Sequence, residues 1–559
     1  MPKIHLKATI SVLTFFLLLA ACQSAPPQPS QPPETQLPGQ TPPPAVETTS
    51  LETKPESQGR TLTLAIGGES SDGYDPTLGW GRYGSPLFQS TLLRRDADLN
   101  IVNDLATQYS VSQDGLVWTV DIRSDVKFSD GQPLTARDVA FTYNQAAKSA
   151  GLTDLSILDQ AIAVDEDTVE LRLKQPASTF VNRLITLGIV PEHAYGEGYA
   201  RKPVGSGPYQ LVQWDEGQQL IVEPNPYYYG EKPQFERIVF LFTSEDAGFA
   251  AAKAGQVQVV SVPQALGKQT IEGMHVLAVQ SIDNRGIMFP FVPDSGEKTE
   301  KGYPIGNTVT ADLAIRRAIN YVIDRKALVE GVLEGFGAPA YGPADFVPWW
   351  EPESAIQDAD PQTAQQILQE GGWQDNNGDG IVEKGALQAS FTLVYPASDS
   401  TRQSLALAVA DMVKPTGIQI ELRGASWDEI ETLMHSNAVL FGWGSHDQTE
   451  MYNLYHSSMR GNGWYNTGFY ANEQVDTYLD LAMGAPSEEE ALVYWRAAQW
   501  DKKGAGFTAK GDAAWAWLVN LQHVYFVSDC LDVGKQQIQP HGHGWPITFN
   551  ISEWKWTCK

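Results

Sequence analysis

The sequence predicts an α/β protein of at least two domains. Between Leu116 and Ile122 every second residue is apolar (Leu116, Trp118, Val120, Ile122), the period of a half-buried strand. Shortly afterwards Ala136, Val139, Ala140, Tyr143 and Ala147 fall on one stripe at helical spacing. About 500 residues follow the N-terminal region, more than a single ordinary core accommodates.

The chain opens with an address. Lys3 and Lys7 form a basic start, Ile10 to Leu19 an apolar core too short for a comfortable membrane span, and Leu19-Ala20-Ala21-Cys22 a small-residue cleavage site. This pattern resembles a bacterial lipobox, which implies cleavage before Cys22 and lipid attachment to it; an ordinary secretory signal is the alternative. Either way the expected location is extracytoplasmic. Residues 23 to 58 are rich in Pro, Gln, Thr and Glu, with Pro42-Pro43-Pro44 favouring an extended conformation. At about 3 Å per residue such a tether reaches up to roughly 100 Å from a membrane.

The whole chain carries 39 basic and 67 acidic residues. Without Lys3 and Lys7 the count is 37 against 67, a formal charge near −30, which argues against nucleic acid or an anionic membrane surface as partner. Cysteine is sparse: besides Cys22 there are Cys530 and Cys558. An oxidising exterior permits a disulfide between these two, with two free thiols as the alternative, and no further Cys exists to complete a familiar metal set.

The body begins with the alternating strand Thr61 to Ile66. Gly79, Gly81 and Gly84 then match G-x-G-x-x-G. Trp80 and Tyr83 occupy that loop, Pro86 follows, and no acidic residue ends a second strand of a βαβ unit, so dinucleotide binding is rejected. Further on, Val126 and Phe128 suggest a second strand leading into Ser129-Asp130-Gly131, where Gly supplies the turn. Thr135 with Asp138 three residues on is a helix start. The run from DLAT at Asp104 through DGLVWTVDIRSDVKFSDGQPLTARDVAFT resembles the signature of family 5 solute-binding proteins, which serve ABC importers for peptides and nickel.

The resemblance implies a two-lobed periplasmic-binding-protein-like (type II) α/β fold with an inserted subdomain in the first lobe. It places lobe I at 59–82, 196–285 and 506–559, the inserted subdomain at 83–195 and lobe II at 286–505. It also puts Trp80 and Tyr83 near the cleft, with packing as the alternative role. Leu211 to Trp214 and Gln219 to Glu223 read as a hairpin, Ala247 to Gln256 as a helix and VQVVSVP as a strand. Asp283 to Phe289 is the expected crossover into lobe II. Ala314, Ala318 and Val322, with Ile315 and Ile319, mark one helix, and Asp324 caps the next.

Asp375 to Gly380 resembles the first half of a calcium loop, but the twelfth position is Ala386 rather than a bidentate Glu, so a polar turn is expected. The stretch from Trp427 to Ser457 is chemically richest. Val439 to Phe441 reads as a buried strand delivering Trp443, Ser445, His446 and Asp447 to a loop at its end, where open α/β sheets present ligands. In peptide-binding relatives an acidic residue after Gly-Trp pairs with the ligand's amino terminus. Here His446 occupies that position with Asp447 beside it, leaving open which of the two faces the cleft. The resemblance further assigns Trp427 and Trp443 to an aromatic cleft wall. Nickel-binding relatives use a histidine near this segment, so His446 stands open between ligand contact, packing, and nickel or a nickel chelate.

No metalloprotease, nucleophile-elbow or phosphate-loop motif is present, and a secreted glycan or peptide hydrolase is the different-class alternative. The expected function is a monomeric, lipid-anchored receptor without cofactor or resident metal. It captures oligopeptides or dipeptides between two lobes and passes them to a membrane permease, with nickel or a nickel chelate as the alternative ligand.

Overall fold

The computed structural model describes residues 61–83, 86–149, 154–542 and 544–559. Cys22, its cleavage site, the tether, Gly84 and His543 lie outside them. The described body starts with β1 (Thr61–Ala65).

A separate antiparallel sheet follows, made of β2 (Ala106–Val111), β3 (Val117–Ile122), β4 (Leu158–Ala163) and β5 (Thr168–Leu173) in the order β2-β3-β5-β4. Helix α1 (Ala136–Ser149) lies against it, joining Trp118, Val120, Val139, Tyr143 and Val169 in one core. Each fully buried side chain of this kind contributes about 2 kcal/mol. The Asp138 carboxylate accepts from both the Thr135 backbone N–H at 2.9 Å and its hydroxyl at 3.0 Å, which fixes the helix start.

The second strand expected at Val126 and Phe128 does not form. Only an isolated bridge joins Lys127 to Pro133, while the Phe128 and Gly131 N–H groups close the turn itself. Proline carries no N–H to extend a ladder, and Val126 and Phe128 are spent on the core instead. Helix α2 (Val181–Thr186) completes this region.

The chain then forms β6 (Tyr209–Asp215), β7 (Gln219–Pro224), β8 (Arg237–Leu241), α3 (Glu245–Lys253), β9 (Val259–Val262) and β10 (Met274–Met288). Two capped helices follow, α4 (Leu313–Val322) and α5 (Arg325–Gly331), with the Asp312 and Asp324 carboxylates accepting from the Ala314 and Ala327 N–H groups. Next come β11 (Ser390–Pro396), β12 (Gln419–Ala425), α6 (Trp427–Leu433), β13 (Ala438–Phe441) and α7 (Thr449–Tyr455), and finally β14 (Trp515–Ser528).

These strands share one mixed sheet of order β12-β11-β13-β10-β14-β9-β1-β8-β7-β6. Its middle explains its shape. β10 and β14 run antiparallel for their whole length, with a register shift between Gln280 and Asn284. On one side of that shift β9 extends the sheet from Val524–Val527; on the other, β13 pairs with Gly286–Met288. One pair of strands therefore serves two halves. The first half packs Leu62, Leu64, Phe240 and Val527 with Trp545, Ile547 and Trp554 of the C-terminal tail. The second gathers Ile287, Ile315, Leu393, Leu440 and Leu518. Cys530 and Cys558 form a disulfide with Cα atoms 5.0 Å apart, tying the tail to the end of β14.

Candidate ligand-binding cleft

All four residues of β13 are buried, and the strand ends at a loop held to β10 through the backbone and side chain of Asn284. The Trp443 N–H donates to Asn284 Oδ1 at 2.9 Å, and the Asn284 N–H donates back to the Trp443 carbonyl at 2.9 Å. Gly444 (φ +142°) lies so close to β10 that a Cβ would sit 2.1 Å from the Ile282 carbonyl oxygen. No other residue fits there.

This loop forms one wall of a cavity of about 860 Å³. Tyr83, Trp443, Ser445, His446 and Asp447 line it, as does Glu450 of α7. The opposite wall comes from the segment around β2 to α2, including Arg95, Asn182 and Arg183. Trp443 stands 5.6 Å from Tyr465, centroid to centroid, an apolar face within a polar surround. Ser445 Oγ accepts from the Asp447 N–H at 3.0 Å and so shapes the loop.

The two residues in competition for the cleft have different fates. Burial, aided by the charge of Arg95, pulls the His446 imidazole down to about 3, so it is neutral at physiological pH. Its Nε2 is buried without a hydrogen-bond partner. Asp447 is already claimed: Arg183 Nη1 lies 2.6 Å from Oδ2, and Asn182 Nδ2 donates to Oδ1 at 3.2 Å. Arg95 Nη2 donates to the His446 carbonyl at 3.3 Å, so these three residues lock the loop to the far wall.

Two aromatic candidates lie outside the cavity lining. Trp80 packs edge-on to Tyr74 at 4.7 Å and to Trp545 at 5.3 Å, and its Nε1 donates to the Pro86 carbonyl at 2.7 Å. It belongs to the first core, because a loop that turns at Gly81 folds its indole inward. Trp427 begins α6, stacks on Phe441 at 6.2 Å and carries the Arg402 guanidinium at 5.6 Å. It remains 41% exposed.

Asp375, Asp379 and Glu383 hold carboxylate oxygens within 4.8 Å of one another, a cluster able to accept a cation. Glu383 enters through a chain reversal rather than at the twelfth position, so loop spacing alone missed it. Its oxygens accept from the Asn376 N–H and the Asn377 amide, and Asp375 accepts from the Gly378 and Gly380 N–H groups. The turn thus satisfies its own acids. His446 belongs to no such cluster among the described residues.

Residues 100–466 match the model of the bacterial extracellular solute-binding proteins, family 5. Protein XP55 of Streptomyces lividans is 34% identical over 477 residues, covering 82% of this chain and 84% of its own. The chain belongs to family 5 of these solute-binding proteins. The oligopeptide-binding protein AppA of Bacillus subtilis is 27% identical, covering 74% of this chain and 79% of the relative.

Solved structures give the same fold. NikZ from Campylobacter jejuni in complex with Ni(L-His) superposes at TM-score 0.72 with 23% identity, covering 89% of this chain and 99% of that one. AppA of Bacillus subtilis in complex with a nonapeptide gives 0.68 with 24% identity, covering 90% and 99%. This family 5 solute-binding protein therefore has the two-lobed type II fold, and its relatives are binding proteins rather than enzymes. No helix among its described residues is long and apolar enough to cross a membrane.

Sequence reasoning missed Glu450, Arg95, Asn182 and Arg183. The last two meet Asp447 across more than 260 positions of chain, a juxtaposition no local motif signals.

Proposed function

We propose that this solute-binding protein captures peptides in the cavity behind Trp443 and delivers them to the permease of an ABC importer. The carrying observation is the cavity itself: about 860 Å³, walled by the Trp443–Tyr465 aromatic pair and lined with polar groups, the volume and mixed chemistry that a short peptide requires. The AppA relative, named for oligopeptides, supports the same class. In this reading the lobes are 59–82 with 196–285 and 506–559, and 286–505. The subdomain 83–195 rides on the first lobe, and Cys22 carries the lipid that holds the receptor outside the cytoplasm. Hinge motion about the shared strands closes the lobes on the ligand, whose differential affinity for the closed form sets the population.

One observation favours a second ligand class. A neutral His446 with an unpartnered Nε2 at the cavity wall is a competent metal-chelate ligand, and NikZ holds Ni(L-His). Native mass spectrometry of the purified protein, followed by gentle denaturation, separates the two. Release of a ladder of short peptides supports the peptide receptor, whereas release of a single nickel chelate overturns it in favour of His446.

A further inference from the structure

Most charged side chains that line the cavity are already engaged within the protein. Arg183 Nη1 holds Asp447 Oδ2 at 2.6 Å, and Asn182 Nδ2 donates to the other oxygen at 3.2 Å. Arg95 gives Nη1 to the Leu99 carbonyl and Nη2 to Asn182 Oδ1, both at 2.9 Å. Arg123 grips Asp125 with bonds of 2.9 and 2.8 Å, and Asp104 accepts from the Tyr229 hydroxyl. Arg82 lies over the Tyr83 ring at 4.4 Å.

Glu450 carries no ion pair among the described residues, and its carboxyl accepts from the Gly444 N–H at 3.2 Å. Burial pushes it up to about 8, so at pH 7 it is mostly the neutral acid. The remaining charges of the lining, Arg94, Asp154, Glu231, Glu553 and Lys555, are exposed and of both signs, where a charge contact contributes little. A charged end of a solute buried against the inner wall therefore meets no ready counter-charge and keeps its desolvation cost.

What the wall offers instead is neutral amide. Thr449, Glu450 and Asn453 line the cavity from one face of α7, at the three- and four-residue spacing of a helix. The Asn453 amide is half-buried and makes no hydrogen bond among the described residues. Asn462, past the end of α7, lines the cavity with a second unbonded amide. Each such side chain holds two donors and one acceptor, the complement of the N–H and C=O that every residue of an extended peptide presents and must satisfy when buried. The Trp443–Tyr465 pair covers the apolar remainder.

We propose that the cavity reads the main chain of its peptide through neutral polar groups, with Asn453 as the specificity-determining residue. Peptides with a blocked amino terminus are then ligands on equal terms with free ones. The assignment rests on the peptide reading above. Charged ends, where a peptide has them, lie along the exposed part of the lining, while its amides meet α7.

The test uses the full-length protein and two mixed-sequence libraries of tri- to nonapeptides lacking Lys and Arg, one with free amino termini and one Nα-acetylated, with retained peptides weighed by native mass spectrometry. A buried contact between an ammonium and a carboxylate favours the free library by about tenfold or more. The wild type is expected to show no such preference, a measurement that needs no variant to fold. A tenfold preference for the free library overturns the neutral wall and leaves the peptide reading intact. Retention of neither library overturns the peptide reading and the assignment with it. Asn453→Leu is expected to lower the affinity for both libraries about tenfold, as loss of main-chain hydrogen bonds requires; unchanged affinity, or a loss confined to the free library, overturns the role of Asn453. The nearly isosteric Asn453→Asp supplies the missing charge and is expected to create a preference for the free library. Failure to create one removes Asn453 from contact with the ligand and overturns the assignment.

Discussion

Trp443 and Arg183 line the same cavity in different ways, one as an aromatic face and the other as the partner of an acid. Trp443 offers its indole to the cavity beside Tyr465, and such a ring contributes about 1–2 kcal/mol through apolar contact. Trp443→Ala is expected to weaken ligand binding about tenfold, measured by calorimetry, with little change in the melting temperature. Arg183 instead holds the Asp447 carboxylate, with both side chains mostly shielded, and removing one partner of such a pair leaves a buried charge. Arg183→Met should lower stability by about 2 kcal/mol, read from the urea midpoint, and loosen the Trp443 loop from the far wall. Free-amino and acetylated peptides should suffer equally. A selective loss of free-amino peptides would instead place Asp447 in direct contact with the ligand.

At the scale of elements, the loop after β13 is precise because β10 leaves it no freedom. Gly444→Ala pushes a Cβ into the Ile282 carbonyl, so the variant should fold yet lose binding more than tenfold, visible as a low-affinity isotherm with near-native circular dichroism. Such close approaches mark what sequence reading does and does not reach. Local chemistry was legible: Asp324 caps its helix, Gln219–Pro224 pairs back on Tyr209–Asp215, and β13 is buried as its apolar run requires. The segment at Val126 was misread because its apolar residues are needed by a core rather than by a ladder, and periodicity does not distinguish these uses. The loop of Trp443, Ser445, His446 and Asp447 was found in sequence. Its meaning was not, because Arg95, Asn182 and Arg183 reach it only through the tertiary fold, and because Glu450 lies at a helix start with no motif of its own.

Across the whole molecule, charge gathers where the shared strands shift register. Asp283 on β10 meets Arg285 Nη1 at 2.5 Å, His541 Nδ1 at 2.5 Å and His523 Nε2 at 3.2 Å, so β10, β14 and the tail converge on one carboxylate. Burial alone would raise that group, but Arg285 and the two histidines hold it well below its usual 3.8. The unfolded chain therefore binds a proton that the folded one refuses. The stabilisation is complete above about pH 4 and is lost as pH falls further toward the folded value. Urea midpoints should fall steeply below pH 4 in the wild type and more gently in Asp283→Asn.

The tail has a consequence for the order of assembly. Strand β1 is made early, yet its core is closed by Trp545, Ile547 and Trp554, and its neighbour β9 borders β14 on the other side. Gly68 and Trp545 are hydrogen-bonded across 477 positions of chain. A polypeptide that appears N-terminus first thus spends most of its synthesis with an unfinished leading half, exposing strand edges of the kind chaperones guard. The four-stranded unit from β2 to β5, whose strands pair within one short stretch, is the part able to form early. The leading half must wait for the last residues.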